Sequence, residues 1–156
     1  ALLAGETVTG VSIQKMVYEL DAGDIVAARE VAITPAETTR ELRPRLIQEG
    51  AELLVDILPA FEAGTLSSIA QDPAAVTVAK KIAKEDGQLD LTGDARTNWN
   101  KYRAYAESPG TFFYADKNGV SVRVKIKSAT FNNGVFMPDR IVPEGKNEMA
   151  YRDFVR

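Results

Sequence analysis

The segment Glu19-Leu20-Asp21-Ala22-Gly23-Asp24 holds the residue best placed for chemistry in this 156-residue chain. Asp21 stands at the mouth of a glycine turn between two strand-like runs, Val11 to Val17 and Ile25 to Ile33. A half-buried carboxylate in that setting can hold a histidine in one tautomer and raise its basicity. It can also bind an ordered water that passes a proton. The same carboxylate can instead close an Asx-turn on the amides of Ala22 or Gly23, a purely local role. The chain contains no histidine, so no nucleophile–histidine pair can form within it. Nor is there a glycine-rich phosphate loop of the dinucleotide or P-loop kind.

Two basic segments come next. Lys80-Lys81-Ile82-Ala83-Lys84-Glu85-Asp86-Gly87 places three lysines where they can take phosphates or simply keep a loop wet. In Val122-Arg123-Val124-Lys125-Ile126-Lys127, alternation sends the apolar side chains to one face and Arg123, Lys125 and Lys127 to the other. An all-basic strand face suits a nucleic-acid backbone, and it equally suits an edge strand protected from aggregation. Trp99, Tyr102 and Tyr105 are aromatic enough to stack bases, but their helical spacing fits core packing.

Charge divides the same way. Residues 1–78 carry 5 Lys/Arg and 12 Asp/Glu, a net of −7, whereas residues 79–156 carry 14 and 10, a net of +4. The sign changes near Lys80-Lys81, which suggests two regions with different partners. At 45% hydrophobic the chain can bury a sizeable core as one domain or two small ones. No apolar run approaches the ~18 residues of a membrane span, and no leader is expected. The absence of cysteine fits a reducing, cytoplasmic setting. With neither Cys nor His, no zinc site is expected, and no magnesium site is called for. The chain opens on Ala1, without a cap before helix-compatible residues, and reads as a truncated piece.

The elements that must position these groups follow from periodicity. Gly5 to Gly10 reads as a loop and is followed by the two strands around Asp21, where Gly23 is free to adopt positive φ. Thr34 to Glu37 and Thr38 to Glu41 are alternative capping boxes for a helix that Gly64 stops. Its expected buried stripe is Leu42, Leu46, Ile47, Leu53, Leu54, Ile57, Leu58 and Phe61. Pro44 predicts a kink or a later start. Residues 65–79, with Gln71-Asp72-Pro73, read as a linker. A second helix is expected over about 94–107. Strands then run from Thr111 to Ala115, Val120 to Ala129 and Val135 to Val142, turned at Asn118-Gly119 and Asn133-Gly134. Short strands after a helix suit a small or partial barrel.

On these segments the chain resembles the methionyl-tRNA formyltransferase family. Ala1 to Glu6, with Thr9-Gly10-Val11-Ser12-Ile13 and Met16, is similar to the stretch entering that family's catalytic loop. Glu19 to Asp24 resembles the loop itself, and Asp21 falls on its catalytic aspartate. Gly50-Ala51-Glu52-Leu53-Leu54 resembles the helix closing the catalytic domain, and Lys81 to Gly87 with Leu89-Asp90 the opening of the C-terminal domain. Arg103-Ala104-Tyr105 with Pro109-Gly110, and Val142-Pro143-Glu144-Gly145-Lys146 with Met149 and Phe154, match later signatures. The chain departs from the pattern in two ways: Ser108 replaces an aromatic residue, and the barrel is short.

The resemblance implies a fold: α/β followed by β. Residues 1–66 would end a Rossmann-like formyltransferase domain, 67–79 would be a linker, and 80–156 a small OB-like tRNA-binding barrel. It also implies an activity, transfer of a formyl group from 10-formyltetrahydrofolate to the amine of initiator methionyl-tRNA in translation initiation. An asparagine and a histidine stabilise the oxyanion in that family, and the aspartate positions the histidine and helps pass the proton. Glu19, Leu20 and Asp21 would line the pterin pocket, while Lys81, Lys84, Arg123, Lys125 and Lys127 would meet tRNA phosphates. The Asn-x-His element is expected before Ala1, so these residues alone should be inactive. The rivals are a sugar-nucleotide N-formyltransferase and a non-catalytic RNA-binding module. The whole enzyme is expected to be a monomer, and the piece is expected to self-associate through its exposed edge.

Overall fold

The computed structural model describes residues 1–156, which form two compact units. One gathers Thr7–Pro35 and Glu41–Lys80; the other gathers Ala1–Glu6, Ala36–Arg40 and Lys81–Arg156. Each is described on its own.

The first unit is built on an antiparallel ribbon of β1 (Val8–Gln14) and β2 (Ile25–Ala32), paired from Val8–Ala32 to Gln14–Ile25 with an irregularity after Ile13. In β1 the half-buried Thr9, Val11 and Ile13 alternate with exposed residues, the period-two pattern of a strand with one covered face. The helix α1 (Thr39–Glu62) supplies most of the rest. Thr38 caps it, its hydroxyl accepting the Arg40 N–H at 3.3 Å, so the second of the two capping boxes starts the helix. The start is not delayed beyond Pro44, which lies inside the helix together with Pro59. Charge ties ribbon to helix. The Arg29 guanidinium on β2 reaches Glu49 at 3.0 Å and Asp56 at 2.7 Å, and these hydrogen bonds hold its pKa above the usual value.

The expected stripe on α1 is only partly covered. Leu42 and Leu53 are buried, but Ile47, Leu54, Leu58 and Phe61 stay 45–67% exposed. A two-stranded ribbon can shield one narrow strip of a helix, and the sequence period says nothing about how much sheet is present to cover it.

The second unit has the denser core. Its sheet runs in the order β3 (Thr111–Lys117), β4 (Val120–Asn132), β5 (Val135–Pro143) and β6 (Met149–Ala150), an open antiparallel meander and not a closed barrel. Asn118-Gly119 and Asn133-Gly134 turn the two hairpins, all four residues at positive φ, the geometry of tight primed turns. The helix α2 (Ala95–Ala104) is shorter than its sequence pattern suggests. Asp94 is its cap, accepting from the Thr97 N–H at 2.6 Å, and hydrogen bonds from the Thr97 side chain and backbone lower the Asp94 pKa. A last short helix, α3 (Tyr151–Phe154), follows β6.

Leu89, Trp99, Phe113, Val124, Ile126, Phe136 and Ile141 form one buried cluster. Trp99 stacks on Tyr102 at 5.4 Å and on Phe131 at 5.9 Å, so the indole is a core group and not a free stacking platform. In the same unit the Thr39 hydroxyl donates to the carbonyls of Arg103 and Ala104.

Candidate functional site

The loop between β1 and β2 is built from two unusual positions. Asp21 adopts φ 53°, the left-handed region that aspartate tolerates better than most residues. Gly23 is not among the positive-φ residues, contrary to the sequence expectation. It is needed because a Cβ there would lie 1.7 Å from the Lys15 carbonyl oxygen. The Lys15 N–H donates to the Asp24 carbonyl at 3.0 Å, which closes the neck of the loop. Tight approach, not backbone conformation, selects this glycine.

Asp21 makes no Asx-turn. Its Oδ1 accepts from Gln14 Nε2 at 3.4 Å, and its carbonyl accepts from Gln71 Nε2 at 2.9 Å. The carboxylate borders an open cavity of about 510 Å³ whose wall includes Leu20, Ala22, Gln71, Pro73, Val76 and Val78. Leu20, Val76 and Val78 are 92%, 67% and 83% exposed, a set of apolar side chains around one acid. Of Glu19, Leu20 and Asp21, the last two are in the wall of this cavity and Glu19 is not.

The segment expected to be a plain linker is tied to this loop. Ile69 and Ile25 exchange backbone hydrogen bonds at 2.8 and 2.9 Å. Ser68 Oγ donates to Asp24 Oδ2 at 2.8 Å and receives Lys15 Nζ at 2.8 Å. Gln14, Lys15, Ser68 and Gln71 therefore belong to the site, and sequence reading missed them. A polar residue in an aperiodic stretch gives no signal of what it will touch.

In the sheet unit, alternation along β4 holds as far as Lys127: Val124 and Ile126 are buried, Lys125 and Lys127 are exposed, and Arg123 is half-buried. At Lys127 the register to β5 shifts, Ile126 pairing with Ile141 and Ser128 with Arg140. Such a bulge re-aims the strand. Arg123 and Lys125 line a second concavity, of about 240 Å³, with Val142 to Lys146, and Lys127 is not in its wall. The Arg123 guanidinium lies 3.8 Å over the Phe112 ring, and its carbonyl accepts the Glu144 N–H. That stacking fixes a cation that an unstacked lysine would leave mobile. Lys146 is the third cation here, twenty-one residues beyond Lys125 in sequence and brought alongside by the β4–β5 hairpin. Lys81 and Lys84 are exposed on the segment before α2 and line neither cavity. No group of three or more His, Cys, Asp or Glu side chains is placed to hold a metal ion, and no helix is long and apolar enough to cross a membrane.

The family model described as formyl transferase matches residues 1–58, and that described as formyl transferase, C-terminal domain, matches residues 81–139. The chain belongs to the formyl transferase family.

Among relatives, the methionyl-tRNA formyltransferase of Listeria welshimeri is 36% identical over 99% of this chain and 56% of its own length. A likely sugar N-formyltransferase from Mycobacterium tuberculosis superposes with TM-score 0.62 at 26% identity, over 80% of this chain and 55% of that one. HypX from Aquifex aeolicus, solved in complex with tetrahydrofolic acid, superposes with TM-score 0.69 at 18% identity, over 99% of this chain and 31% of that one. The chain thus spans about half the length of the curated relatives it matches.

Proposed function

We propose that the chain is the C-terminal part of a methionyl-tRNA formyltransferase, which moves the formyl group of 10-formyltetrahydrofolate to the α-amine of initiator methionyl-tRNA. The observation that carries this reading is the 36% identity, across nearly the whole chain, to a relative of that name. In this reading residues 1–66 complete the catalytic domain and residues 80–156 hold tRNA, joined through 67–79.

The cavity beside Asp21 suits a flat heteroaromatic donor. Leu20, Pro73, Val76 and Val78 offer apolar faces, and the Asp21–Ala22 backbone offers a polar edge. The donor supplies the activated formyl carbon. As the amine attacks the formyl carbon and the bond from that carbon to N10 of the donor breaks, Asp21 would orient the histidine supplied by the rest of the protein and help pass the amine's proton toward the departing N10. The asparagine and histidine of the resemblance are not supplied by these residues, which contain no histidine, so the 156 residues alone are expected to transfer nothing.

The test is to supply the full polypeptide carrying this stretch with 10-formyltetrahydrofolate and either methionyl-tRNA or an amino-sugar nucleotide. Formylated methionyl-tRNA supports the reading. Transfer to the sugar alone would favour the sugar N-formyltransferase reading that the Mycobacterium neighbour suggests. RNA binding without any transfer would favour a non-catalytic module.

Lys81, Lys84, Arg123, Lys125 and Lys127 are proposed as phosphate contacts, with Lys146 joining Arg123 and Lys125 in their concavity. Each true contact removed lowers the slope of log affinity against log salt by about one unit. Lys125→Ala and Lys146→Ala are expected to do so for tRNA binding; an unchanged slope in both would remove the concavity from the tRNA path.

A further inference from the structure

We propose that Gln71 is a positioning residue for Asp21, acting directly on the loop backbone and, through Gln14, on the carboxylate. The proposal rests on the formyltransferase reading, which makes Asp21 the reacting acid, and on the hydrogen-bond geometry of the loop.

Gln71 Nε2 lies 2.9 Å from the Asp21 carbonyl, 2.7 Å from the Gly23 carbonyl and 3.2 Å from Gln14 Oε1. Three acceptors converge on one amide nitrogen. Turned the other way, its oxygen would face three oxygens, so the surroundings fix which end of the amide points inward. The consequence passes on. With its oxygen committed to Gln71, Gln14 must direct its NH2 outward, and that NH2 is the group 3.4 Å from Asp21 Oδ1. Gln71 is therefore the first member of a two-step relay ending on the carboxylate.

The loop needs such a holder. Asp21 sits at left-handed φ, and the carbonyls on either side of Ala22 both turn toward Gln71. Without that donor they would converge on no protein partner, and the turn could relax. Gln71 can bear the load because its own segment is pinned by the paired backbone bonds of Ile69 with Ile25 and by Ser68 on Asp24.

A clamp that only stabilises the ribbon would make the same contacts, so the test separates the two roles. In the full-length protein, Gln71→Met keeps length and volume and removes the donor. Amide exchange at Lys15, whose N–H closes the neck of the loop on the Asp24 carbonyl, should quicken roughly tenfold, the order expected for one or two lost hydrogen bonds. Exchange at Val11 and Ser12 in mid-strand should not move. The kcat for formyl transfer should fall about 10- to 100-fold with KM little changed, as for a misplaced reacting group. Gln14→Leu, at an exposed position, should lower kcat while leaving loop exchange at the wild-type rate, because Gln71 still holds both carbonyls.

Unchanged loop exchange in Gln71→Met would overturn the proposal. Faster exchange with unchanged kcat in both variants would reduce Gln71 to a structural strap and overturn its catalytic role. A wild-type protein without formyl transfer would overturn the functional reading and that role with it, and the exchange data would still show whether Gln71 holds the loop.

Discussion

Asp21→Asn in the full-length enzyme should lower kcat/KM for formyl transfer by about 10²- to 10⁴-fold, the usual worth of a positioned acid–base group. The substitution isolates the charge. Asparagine occupies the left-handed region at least as readily as aspartate, so the φ of 53° survives. Its side-chain oxygen can still accept from Gln14 Nε2, and its carbonyl can still accept from Gln71. Thermal unfolding should therefore stay close to wild type while activity collapses. Steady-state kinetics beside a melting curve would check this. A loss under about threefold would leave Asp21 a turn residue and put the reacting acid elsewhere.

The parts of this fold legible in the sequence are those set by neighbours in the chain. Asn118-Gly119 and Asn133-Gly134 fixed both hairpins because two consecutive positive-φ residues leave few other choices. The alternation of Val122 to Ile126 gave the buried and wet faces of β4, and the two capping boxes placed the start of α1 to within a turn, which the Thr38 bond decides. Local pattern fails where the outcome depends on distant residues. The period of α1 marks Ile47 and Phe61 as apolar but says nothing about whether a sheet covers them. Lys127 continues the basic alternation and stays exposed, but the register to β5 shifts beside it and it is absent from the concavity that Arg123 and Lys125 line.

The site divides in the same way. Asp21 stood out through its own turn and its resemblance to a known loop. Gln71 gave no signal, because its role depends on folding back across forty-eight residues onto the Gly23 carbonyl. Lys146 entered the sequence reading only as the end of the Val142–Lys146 signature, and its place beside Lys125 depends on the hairpin register. A reacting residue can advertise itself locally; the residues that hold it generally do not.

Gly23→Ala shows how little room the loop leaves. The clash is with the Cβ itself, 1.7 Å from the Lys15 oxygen and 2.8 Å from its carbon, so no rotamer relieves it and the backbone must move. Any such movement opens the neck closed by the Lys15–Asp24 bond and shifts the Gly23 carbonyl away from Gln71. The expected cost is about 1–3 kcal/mol of stability, the usual range for overpacking a tight site. Activity should fall about 100-fold as Asp21 is carried off line. Gly50→Ala is the matched control in the same unit. It lies within α1, where a new Cβ would meet only Val11 side-chain atoms at 3.9 Å, ordinary contact. Alanine there should add about 0.4–1 kcal/mol through helix propensity and a stiffer unfolded chain, without touching activity. Urea titrations of the two variants should therefore move in opposite directions. If Gly23→Ala unfolds like wild type and keeps its rate, the loop must have another conformation that accommodates a side chain, and the close approach to Lys15 is not what fixes Asp21.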